Sequence, residues 1–414
     1  MDLIRKDQVH ESGAVAQERL ETIAKASEPG PGVSRLPFGP EHEAALEIIA
    51  GWMNQADCTV TRDAAGTLIG RRAGPAGAPT LLIGSHQDSV RHGGAFDGIM
   101  GVALGCLALE ALGDRALPFA VEVLAFADEE GVRFPTALIG PRALAGTLDQ
   151  GVFAMVDKAG VSLGAALKAF GGDPEGTAAL ACDPATIAGY LELHIEQGPV
   201  LEAADKPLGV VTAISGIERH RVTITGEAGH AGTVLMEMRH DALLAASDLV
   251  RGVHDMARDQ GIRATVGQLD ISPNVVNAIP ARIDLTIEIR AAEDPARTAM
   301  GAALSPLCAQ IAEATATQIE IEKTYAQPAQ ACDAGLREGL AAAVRTATGA
   351  PAPELPSGAT HDASAMADLC PIAMLFVRCK GGISHNPAEY ASAGDMGAAV
   401  DALAAFLSGF CSNA

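Results

Sequence analysis

The stretch Thr80-Leu-Leu-Ile-Gly-Ser-His86 decides the fold, because it is a short apolar run that ends in a histidine. Runs of this kind, bounded by polar or turn residues, are typical of strands buried on both faces of a parallel sheet. Similar runs occur at residues 121–127 and 372–377. Helical apolar periods occur before and between these runs, at 41–55 and 102–112, and a helical stretch is predicted at about 142–169. Strands that alternate with helices predict an α/β fold with a mainly parallel sheet.

A different pattern occupies residues 214–326. The segment Arg221-Val-Thr-Ile-Thr225 alternates with period two, and an amphipathic helix is predicted to follow at 239–258. The next predicted elements are strand, strand, helix and strand, which complete the β-α-β-β-α-β order of ferredoxin-like α+β domains. We therefore predict an inserted domain at 214–326 and a discontinuous first domain made of 1–213 and 327–414.

The composition limits the functional classes. The chain has 414 residues and a formal net charge of −22, which argues against nucleic acid or an anionic membrane as a partner. The first residues are too polar for a secretory signal, and no apolar run reaches the ~20 residues of a membrane-spanning helix. The eight cysteines include no Cys-x-x-Cys pair, so we expect reduced thiols and a cytoplasmic location.

Metal-binding side chains stand at the ends of strand-like runs or in the loops that follow them. They are His86, Asp97, Glu130, His194 and His385. The ligand crevice of an α/β sheet lies at the carboxyl ends of its strands, so these side chains are predicted to converge there. Three imidazoles and two carboxylates suit a pair of divalent cations, for which Zn²⁺, Mn²⁺, Co²⁺ and Ni²⁺ are all candidates. The zinc deaminase class is excluded, because no Pro-Cys-x-x-Cys motif occurs.

Two acids beside these residues have predicted supporting roles. Glu129 and Glu130 follow Asp128 in a run of three acids, which in most proteins is a solvated turn. Next to a metal, one carboxylate of such a run can bind the ion while its neighbour takes a proton from water. Asp88 lies two residues after His86, where it is placed to orient the imidazole and fix its tautomer.

Three polar residues of the predicted insert have two explanations each. His230 lies between Gly229 and Ala231 in a glycine-rich loop, and an ordinary loop histidine explains it about as well as a functional one. Asn277 is equally ambiguous. Arg290 ends a predicted strand, where it either grips a substrate carboxylate with its planar guanidinium or pairs with a surface acid.

Four blocks of sequence resemble a single family. They are Gly84-Ser-His-Gln-Asp-Ser89, Asp128-Glu-Glu-Gly-Val-Arg-Phe134, Leu193-His-Ile-Glu-Gln-Gly-Pro199 and Gly382-Ile-Ser-His385. Over nearly its whole length the chain is similar to the hydantoinase/carbamoylase branch of the M20 metallopeptidase-like superfamily. Members of that branch include N-carbamoyl-L-amino-acid hydrolases, allantoate amidohydrolases and β-ureidopropionases.

The resemblance implies how the metal-binding residues are shared. One metal is implied to bind His86 and His194. The other is implied to bind Glu130 and His385. The carboxylate of Asp97 is implied to bridge the two.

The resemblance also implies catalytic and substrate-contacting positions. Glu129 matches the general base of the family. The substrate-contacting positions match Gln197, His230, Asn277, Arg290 and Gly358. In relatives the histidine equivalent to His230 belongs to a lid domain, commonly that of the neighbouring subunit, and helps to stabilise the oxyanion. The insert is therefore expected to serve as a lid and to form a homodimer.

The sequence departs from the family pattern in two places. Where the family usually has Asn-His-Ala-Gly-Thr-Thr-Pro-Met, this chain has Gly229-His-Ala-Gly-Thr-Val-Leu-Met236. Where the family has Gly-His-Asp-Ala, this chain has Thr360-His-Asp-Ala363. The metal-binding set is intact, so the departures concern the identity of the substrate more than the type of reaction.

The resulting expectation is a metal-dependent amidohydrolase. Its small-molecule substrate would carry a carboxylate and a linear ureido or carbamoyl C–N bond, as N-carbamoyl amino acids and allantoate do. An aminoacylase or dipeptidase with the same two metals is one alternative, and a catalytically silent small-molecule binder is another. The presence of both Glu129 and Glu130 argues against the silent binder, because a binding protein has no evident need for a base beside a metal.

Overall fold

The structure, a computed structural model, describes residues 6–410. The chain divides into two compact units. The first consists of Met1–Thr212 and Cys332–Ala414, and the second consists of Ala213–Ala331. The second unit thus begins at residue 213 where the sequence predicts 214, and ends at 331 where the sequence predicts 326.

The strands, in chain order, are β1 (Thr59–Arg62), β2 (Leu68–Arg72), β3 (Thr80–His86), β4 (Ala120–Phe126), β5 (Ile187–Ile195), β6 (Leu208–Ile214), β7 (Gly216–Thr225), β8 (Gly229–His230), β9 (Arg263–Ser272), β10 (Ala278–Ile279), β11 (Arg282–Ala291), β12 (Gln318–Gln327), β13 (Gln330–Ala331), β14 (Glu354–Ser357) and β15 (Ile372–Val377). The α-helices are α1 (Lys6–Ile23), α2 (Pro40–Gln55), α3 (Ile99–Leu112), α4 (Ile139–Leu144), α5 (Leu163–Ala169), α6 (Val200–Ala203), α7 (Ala242–Gln260), α8 (Asp294–Thr315), α9 (Ala334–Thr348), α10 (Asp362–Met366) and α11 (Ala393–Gly409).

The first unit is built on a mixed sheet with a parallel centre. Its strand order is β1-β2-β4-β3-β5-β15-β6, and β14 also pairs with β6. The four strands β4, β3, β5 and β15 run parallel to one another, which confirms the predicted α/β class and parallel central sheet. Strands β2 and β6 flank this centre in antiparallel orientation. Apolar strands look alike in either direction, so periodicity did not reveal the antiparallel edges.

Burial explains why the central strands read as continuous apolar runs. Every residue of β3 and β15 is buried, as expected for strands covered on both faces. Helix α3 is buried from Ile99 to Leu109 and belongs to the same hydrophobic core as α11. It starts directly after Asp97 and Gly98, so the helix that packs on the sheet also holds the loop carrying a predicted metal ligand.

Residues 142–169 differ from the prediction of a helical stretch. Only the ends of this segment are α-helical, in α4 and α5, and a short 3₁₀ turn at Gln150–Ala154 lies between them. Gly146 and Gly160 have positive φ values, and Asp149 accepts a hydrogen bond from the backbone N–H of Gly151. These turn-forming residues interrupt the helical period locally.

The second unit is an antiparallel sheet with two helices. Its strand order is β12-β7-β11-β9, and the elements follow each other as β7-α7-β9-β11-α8-β12. Along β11, Ile283, Leu285, Ile287 and Ile289 are all buried, and they pack in one core with the apolar face of α7. Alternate residues of β11 therefore face the helices, in agreement with their period-two pattern.

Candidate metal centre

The predicted metal-binding residues lie at one edge of the central sheet. His86 is the last residue of β3, and His194 lies near the end of β5. Glu130 follows β4, and His385 follows β15 after a short turn. Because these four strands are parallel neighbours, their carboxyl ends share an edge, and Asp97 reaches the same place from the loop before α3.

The Asp97 carboxylate lies between the histidines. Its Oδ1 is 3.1 Å from His194 Nε2 and 3.9 Å from His86 Nε2. Its Oδ2 is 3.2 Å from His385 Nε2, which in turn is 3.9 Å from a Glu130 carboxylate oxygen. The two oxygens of Asp97 therefore face different ligand groups, which is the arrangement of a bridging carboxylate.

These distances fit two divalent cations. Nitrogen and oxygen ligands lie roughly 2.0–2.2 Å from a zinc-like ion, so two ligands of one ion lie within about 4.4 Å of each other. Four groups of described residues have ligand atoms within 4.8 Å of one another, and two of these groups share Asp97. They are His86, Asp97 and His194 for one ion, and Asp97, Glu130 and His385 for the other. Glu130 Oε1 is buried and has no hydrogen-bond partner among the described residues, as a ligand atom reserved for an ion would be.

The two buried imidazoles have a defined tautomer. Nδ1 of His86 lies 2.9 Å from the carbonyl oxygen of Asp88, and Nδ1 of His194 lies 2.9 Å from that of Ile195. A carbonyl oxygen only accepts, so Nδ1 carries the proton in both rings. Nε2 is thereby left as the metal-binding atom, directed at Asp97.

The carboxylate of Asp88 acts on the acidic loop and not on the imidazole. Its two oxygens accept the backbone N–H groups of Glu129 and Glu130, each at 3.1 Å. They lie no closer than 3.8 Å to His86 Nδ1, which bonds the Asp88 carbonyl instead. Asp88 thus orients His86 through its main chain, and it holds the two glutamates through its side chain.

The acidic side chains of the site raise one another's pKa values, because buried carboxylates lie close together. Burial, together with the charge of Glu130, raises the pKa of Glu129 well above its usual range. Burial and the charge of Asp97 raise the pKa of Glu130 to about 8. Burial lowers the pKa of His194, but the nearby Asp97 carboxylate outweighs this effect and raises the pKa to about 9. Divalent cations would stabilise both carboxylates as anions.

The loops around the cluster adopt unusual backbone conformations. Asp128, Gln197 and His385 have φ values of 58°, 56° and 54°, in the left-handed region that non-glycine residues seldom adopt. Gly98 also has positive φ, and a Cβ atom there would overlap the ring of His86. Such strain is tolerated where the surrounding structure fixes a functional geometry.

Gln197 and Gly358 were also predicted to contact the substrate. Gln197 Nε2 donates to Asp97 Oδ2 at 3.0 Å, so this side chain reaches the cluster itself. Gly358 directly follows β14, three residues before His361.

Two buried residues beside the cluster received no role from the sequence. His361 packs edge-on against His194 with ring centroids 4.4 Å apart, and its Nε2 lies 2.7 Å from Ser357 Oγ. Glu192 accepts hydrogen bonds from Ser85 Oγ and from the backbone N–H of Ala363. In the sequence, Glu192 could have been noticed as a single acid inside the otherwise apolar run of β5.

In the second unit, His230 and Asn277 are neighbours. Strand β8 pairs with β10 so that His230 lies opposite Ala278, and the N–H of Ala231 donates to the carbonyl of Asn277 at 3.0 Å. His230 is exposed, and its Nδ1 accepts the N–H of Gly232 at 3.0 Å. The proton of the neutral ring therefore lies on Nε2, which makes that atom a hydrogen-bond donor.

Arg290 lies on β11 in the same unit. Its Nε donates to a carboxylate oxygen of Glu288 at 2.7 Å, and both side chains are half-buried. The pairing with an acid that the sequence offered as one explanation is thus present.

Two of the departures from the family pattern fit each other sterically. A Cβ atom at Gly229 would lie 2.9 Å from Val234 Cγ2 and 3.2 Å from Ile279 Cδ1. Packed carbon atoms do not approach so closely, and valine has one stiff side-chain torsion with which to respond. Glycine at 229 is therefore matched to valine at 234.

We expect Gly229→Asn, which restores the family residue, to lower the free energy of unfolding by about 1–3 kcal/mol through overpacking. Adding Val234→Ala should recover part of this loss, because it removes the contacting methyl groups. Urea unfolding of the single and double variants measures the coupling. Gly267→Asn is the control, since a Cβ atom there meets no neighbour; equal losses at 229 and 267 would contradict the steric explanation.

Comparison with known proteins identifies the family. The profile of Peptidase family M20/M25/M40 matches residues 82–409. The chain is 37% identical over 391 residues to an N-carbamoyl-L-amino acid amidohydrolase of Geobacillus stearothermophilus, which covers 94% of this chain and 95% of that protein. It is also 37% identical to an allantoate deiminase of Arabidopsis thaliana, covering 95% of this chain and 81% of the relative.

Solved structures give the same result. An amidase of the hydantoinase/carbamoylase family from Burkholderia multivorans superposes with a TM-score of 0.89 at 34% identity, over 96% of this chain and 97% of that one. The sheet, the ligand cluster and these matches define the protein as a metallohydrolase of the amidohydrolase type. The chain belongs to Peptidase family M20/M25/M40, which confirms the resemblance seen in the sequence. Within residues 6–410, no helix is both long and apolar enough to cross a membrane.

Proposed function

We propose that this protein hydrolyses the linear ureido or carbamoyl C–N bond of a small carboxylate, such as an N-carbamoyl amino acid or allantoate. The observation that carries the proposal is Glu129, a buried carboxylate whose oxygen lies 4.0 Å from His86 Nε2 beside two complete ligand sets. A base at that position suits the activation of water. The names of the two relatives described above, an N-carbamoyl-L-amino acid amidohydrolase and an allantoate deiminase, favour this substrate class over acyl amino acids and dipeptides.

The chain's donors would hold two cations, one with His86 and His194 and one with Glu130 and His385, with Asp97 between them. Bound divalent cations act as Lewis acids and lower the pKa of water toward neutrality. The mixture of imidazole and carboxylate ligands suits Zn²⁺, Mn²⁺, Co²⁺ or Ni²⁺.

Glu129 would accept the proton of the attacking water as the new C–O bond forms at the substrate carbonyl. It would then deliver that proton to the nitrogen as the C–N bond breaks. His230 would donate its Nε2 proton as a hydrogen bond to the carbonyl oxygen, where negative charge develops. Asp88 keeps the Glu129 main chain in place during both transfers through its bond to the backbone N–H.

The remaining predicted contacts would select the substrate. Arg290 would bind the substrate carboxylate through its guanidinium, which also donates to Glu288. Asn277, Gln197 and Gly358 would contribute further polar contacts. These roles are carried over from matching family positions.

An ammonia-release and amine-release screen tests the proposal. The protein, stripped of metal and reloaded with each of Zn²⁺, Mn²⁺, Co²⁺ and Ni²⁺, is incubated with N-carbamoyl amino acids, allantoate, N-acetyl amino acids and dipeptides. We expect metal-dependent turnover confined to the ureido and carbamoyl substrates. Turnover of only N-acetyl amino acids or dipeptides would make the protein an aminoacylase or dipeptidase, and no turnover with any metal would leave a silent binder.

Removal of the His230 imidazole is expected to lower kcat by about 10²–10³-fold, the cost of losing one donor to a developing oxyanion. Metal content should not change, since no metal ligand is altered. Steady-state kinetics and elemental analysis measure both quantities. His240→Ala is the control, because His240 is an exposed histidine that contacts Glu227 at 3.5 Å. A His230→Ala enzyme with native kcat would exclude this role.

We also propose a homodimer formed through the second unit, which would serve as a lid of ferredoxin-like topology. Leu244 on α7 is 54% exposed, and Leu235, Met236 and Met238 nearby in the chain are also exposed. Exposed apolar surface of this kind is typical of an interface. Light scattering tests this proposal: wild type is expected to be a dimer and Leu244→Glu a monomer.

We also propose a cytoplasmic location, which the free cysteines at all seven described positions support.

A further inference from the structure

Glu389 is a buried carboxylate that the proposed mechanism does not use. It is 4% exposed and lies four residues after His385. Its Oε1 accepts the backbone N–H groups of Phe96 at 3.1 Å and Asp97 at 2.9 Å. Its Oε2 accepts the hydroxyl of Ser384 at 2.8 Å. A single side chain thus joins the loop that carries Asp97 to the loop that carries His385.

The same network reaches the Asp97 carboxylate. Gln197 Nε2 donates to Asp97 Oδ2 at 3.0 Å and to Ser384 Oγ at 3.2 Å. Ser384 Oγ itself lies 3.4 Å from Asp97 Oδ2, farther than from Glu389. Since the hydroxyl has one proton, it donates to the nearer Glu389 and accepts from Gln197.

Space for the Glu389 carboxylate is kept by a glycine. A Cβ atom at Gly94 would overlap Glu389 Oε1, so only glycine lets the carboxylate approach this loop. Burial of a carboxylate costs free energy unless its hydrogen bonds are made, and here three donors serve it. An apolar side chain of the same size would leave these three donors without an acceptor, so the carboxylate does more than fill space: it ties two loops together.

The two ligand sets depend on this network to different degrees. His86 and His194 are buried strand residues whose rings are held by backbone carbonyls. His385 stands on a loop in the left-handed conformation, and its side chain is 51% exposed. Its position relative to Asp97 therefore relies on the link through Ser384 and Glu389.

We propose that Glu389, together with Ser384, is a positioning residue that sets the separation of the Asp97 carboxylate and the His385 imidazole. It thereby determines the affinity of the cation held by Asp97, Glu130 and His385. The inference rests on the pair of cation sites and not on the identity of the substrate.

The proposal is tested by titrating the metal-free full-length protein with Co²⁺. Binding is measured by calorimetry and by the visible absorbance of the bound ion. Wild type is expected to bind two ions in two steps. Glu389→Ala should leave the first step close to wild type and weaken the second by about 10–100-fold, the usual cost of losing a residue that orients a ligand. Glu389→Gln should restore the second step, because its carbonyl oxygen still accepts the two N–H groups and its amide donates to Ser384.

Asp395→Ala is the matched control, since it removes a buried acid paired with Arg378 in the same C-terminal segment. It should lower thermal stability and leave both Co²⁺ steps unchanged. Equal weakening of both steps in Glu389→Ala, or an unchanged second step, would overturn the proposal. Should Glu389→Ala fail to fold, Ser384→Ala decides by the same criterion, because it breaks the link and leaves the two backbone bonds of Glu389.

Discussion

Glu129→Gln is expected to bind two cations and to lose turnover by about 10²–10⁴-fold, the contribution of a positioned general base. Glutamine has the size of glutamate and keeps the backbone bond to Asp88, but its amide accepts no proton at neutral pH. Since Glu129 is outside the ligand sets formed around Asp97, metal content should remain at the wild-type level. Turnover and elemental analysis of the same preparation test both statements.

A suitable control is Glu110→Gln. Glu110 lies near the end of α3 opposite to the cluster and pairs with Arg19. This variant should keep the wild-type rate. If Glu129→Gln retained both cations and a near-native rate, another group would have to be the base.

Asp97→Asn is expected to lower activity to the level of the metal-free protein, because it prevents the binding of a cation pair. Asparagine has a single acceptor oxygen, and its NH₂ group cannot bind a metal. The asparagine NH₂ group would therefore stand on the side of His385 or of His194, where a carboxylate oxygen would otherwise bind a cation. The site would also lose one negative charge that balances the two cations. Elemental analysis after gel filtration should find fewer ions than in wild type.

The folded state of Asp97→Asn must be checked separately. The backbone N–H of Asp97 still bonds Glu389 in this variant, so thermal unfolding of the metal-free protein should change little. Asp401→Asn, another buried acid neutralised on α11, should keep both metal and activity. Two tightly bound cations in Asp97→Asn would show that Asp97 is not the bridge.

The sequence predicted the central architecture because burial leaves a clear pattern. The apolar runs that end at His86 and the run before His385 are strands β3 and β15, both fully buried and both parallel to β5. The antiparallel neighbours and the broken segment at 142–169 were missed. Strand direction leaves no mark in an apolar run, and short turns compete with helix through single glycines and aspartates.

The candidate site was predicted as a set of residue types, but its connections were not. The sequence alone determined which imidazoles and carboxylates stand at strand ends, since strand periodicity and chain order suffice for that. Only the tertiary structure decided that Asp88 holds Glu129 and Glu130 by their main chains, and that Glu389 joins the loops of Asp97 and His385. Those bonds link segments far apart in the chain, and their partners are chosen by packing in three dimensions, which no local pattern of residues encodes.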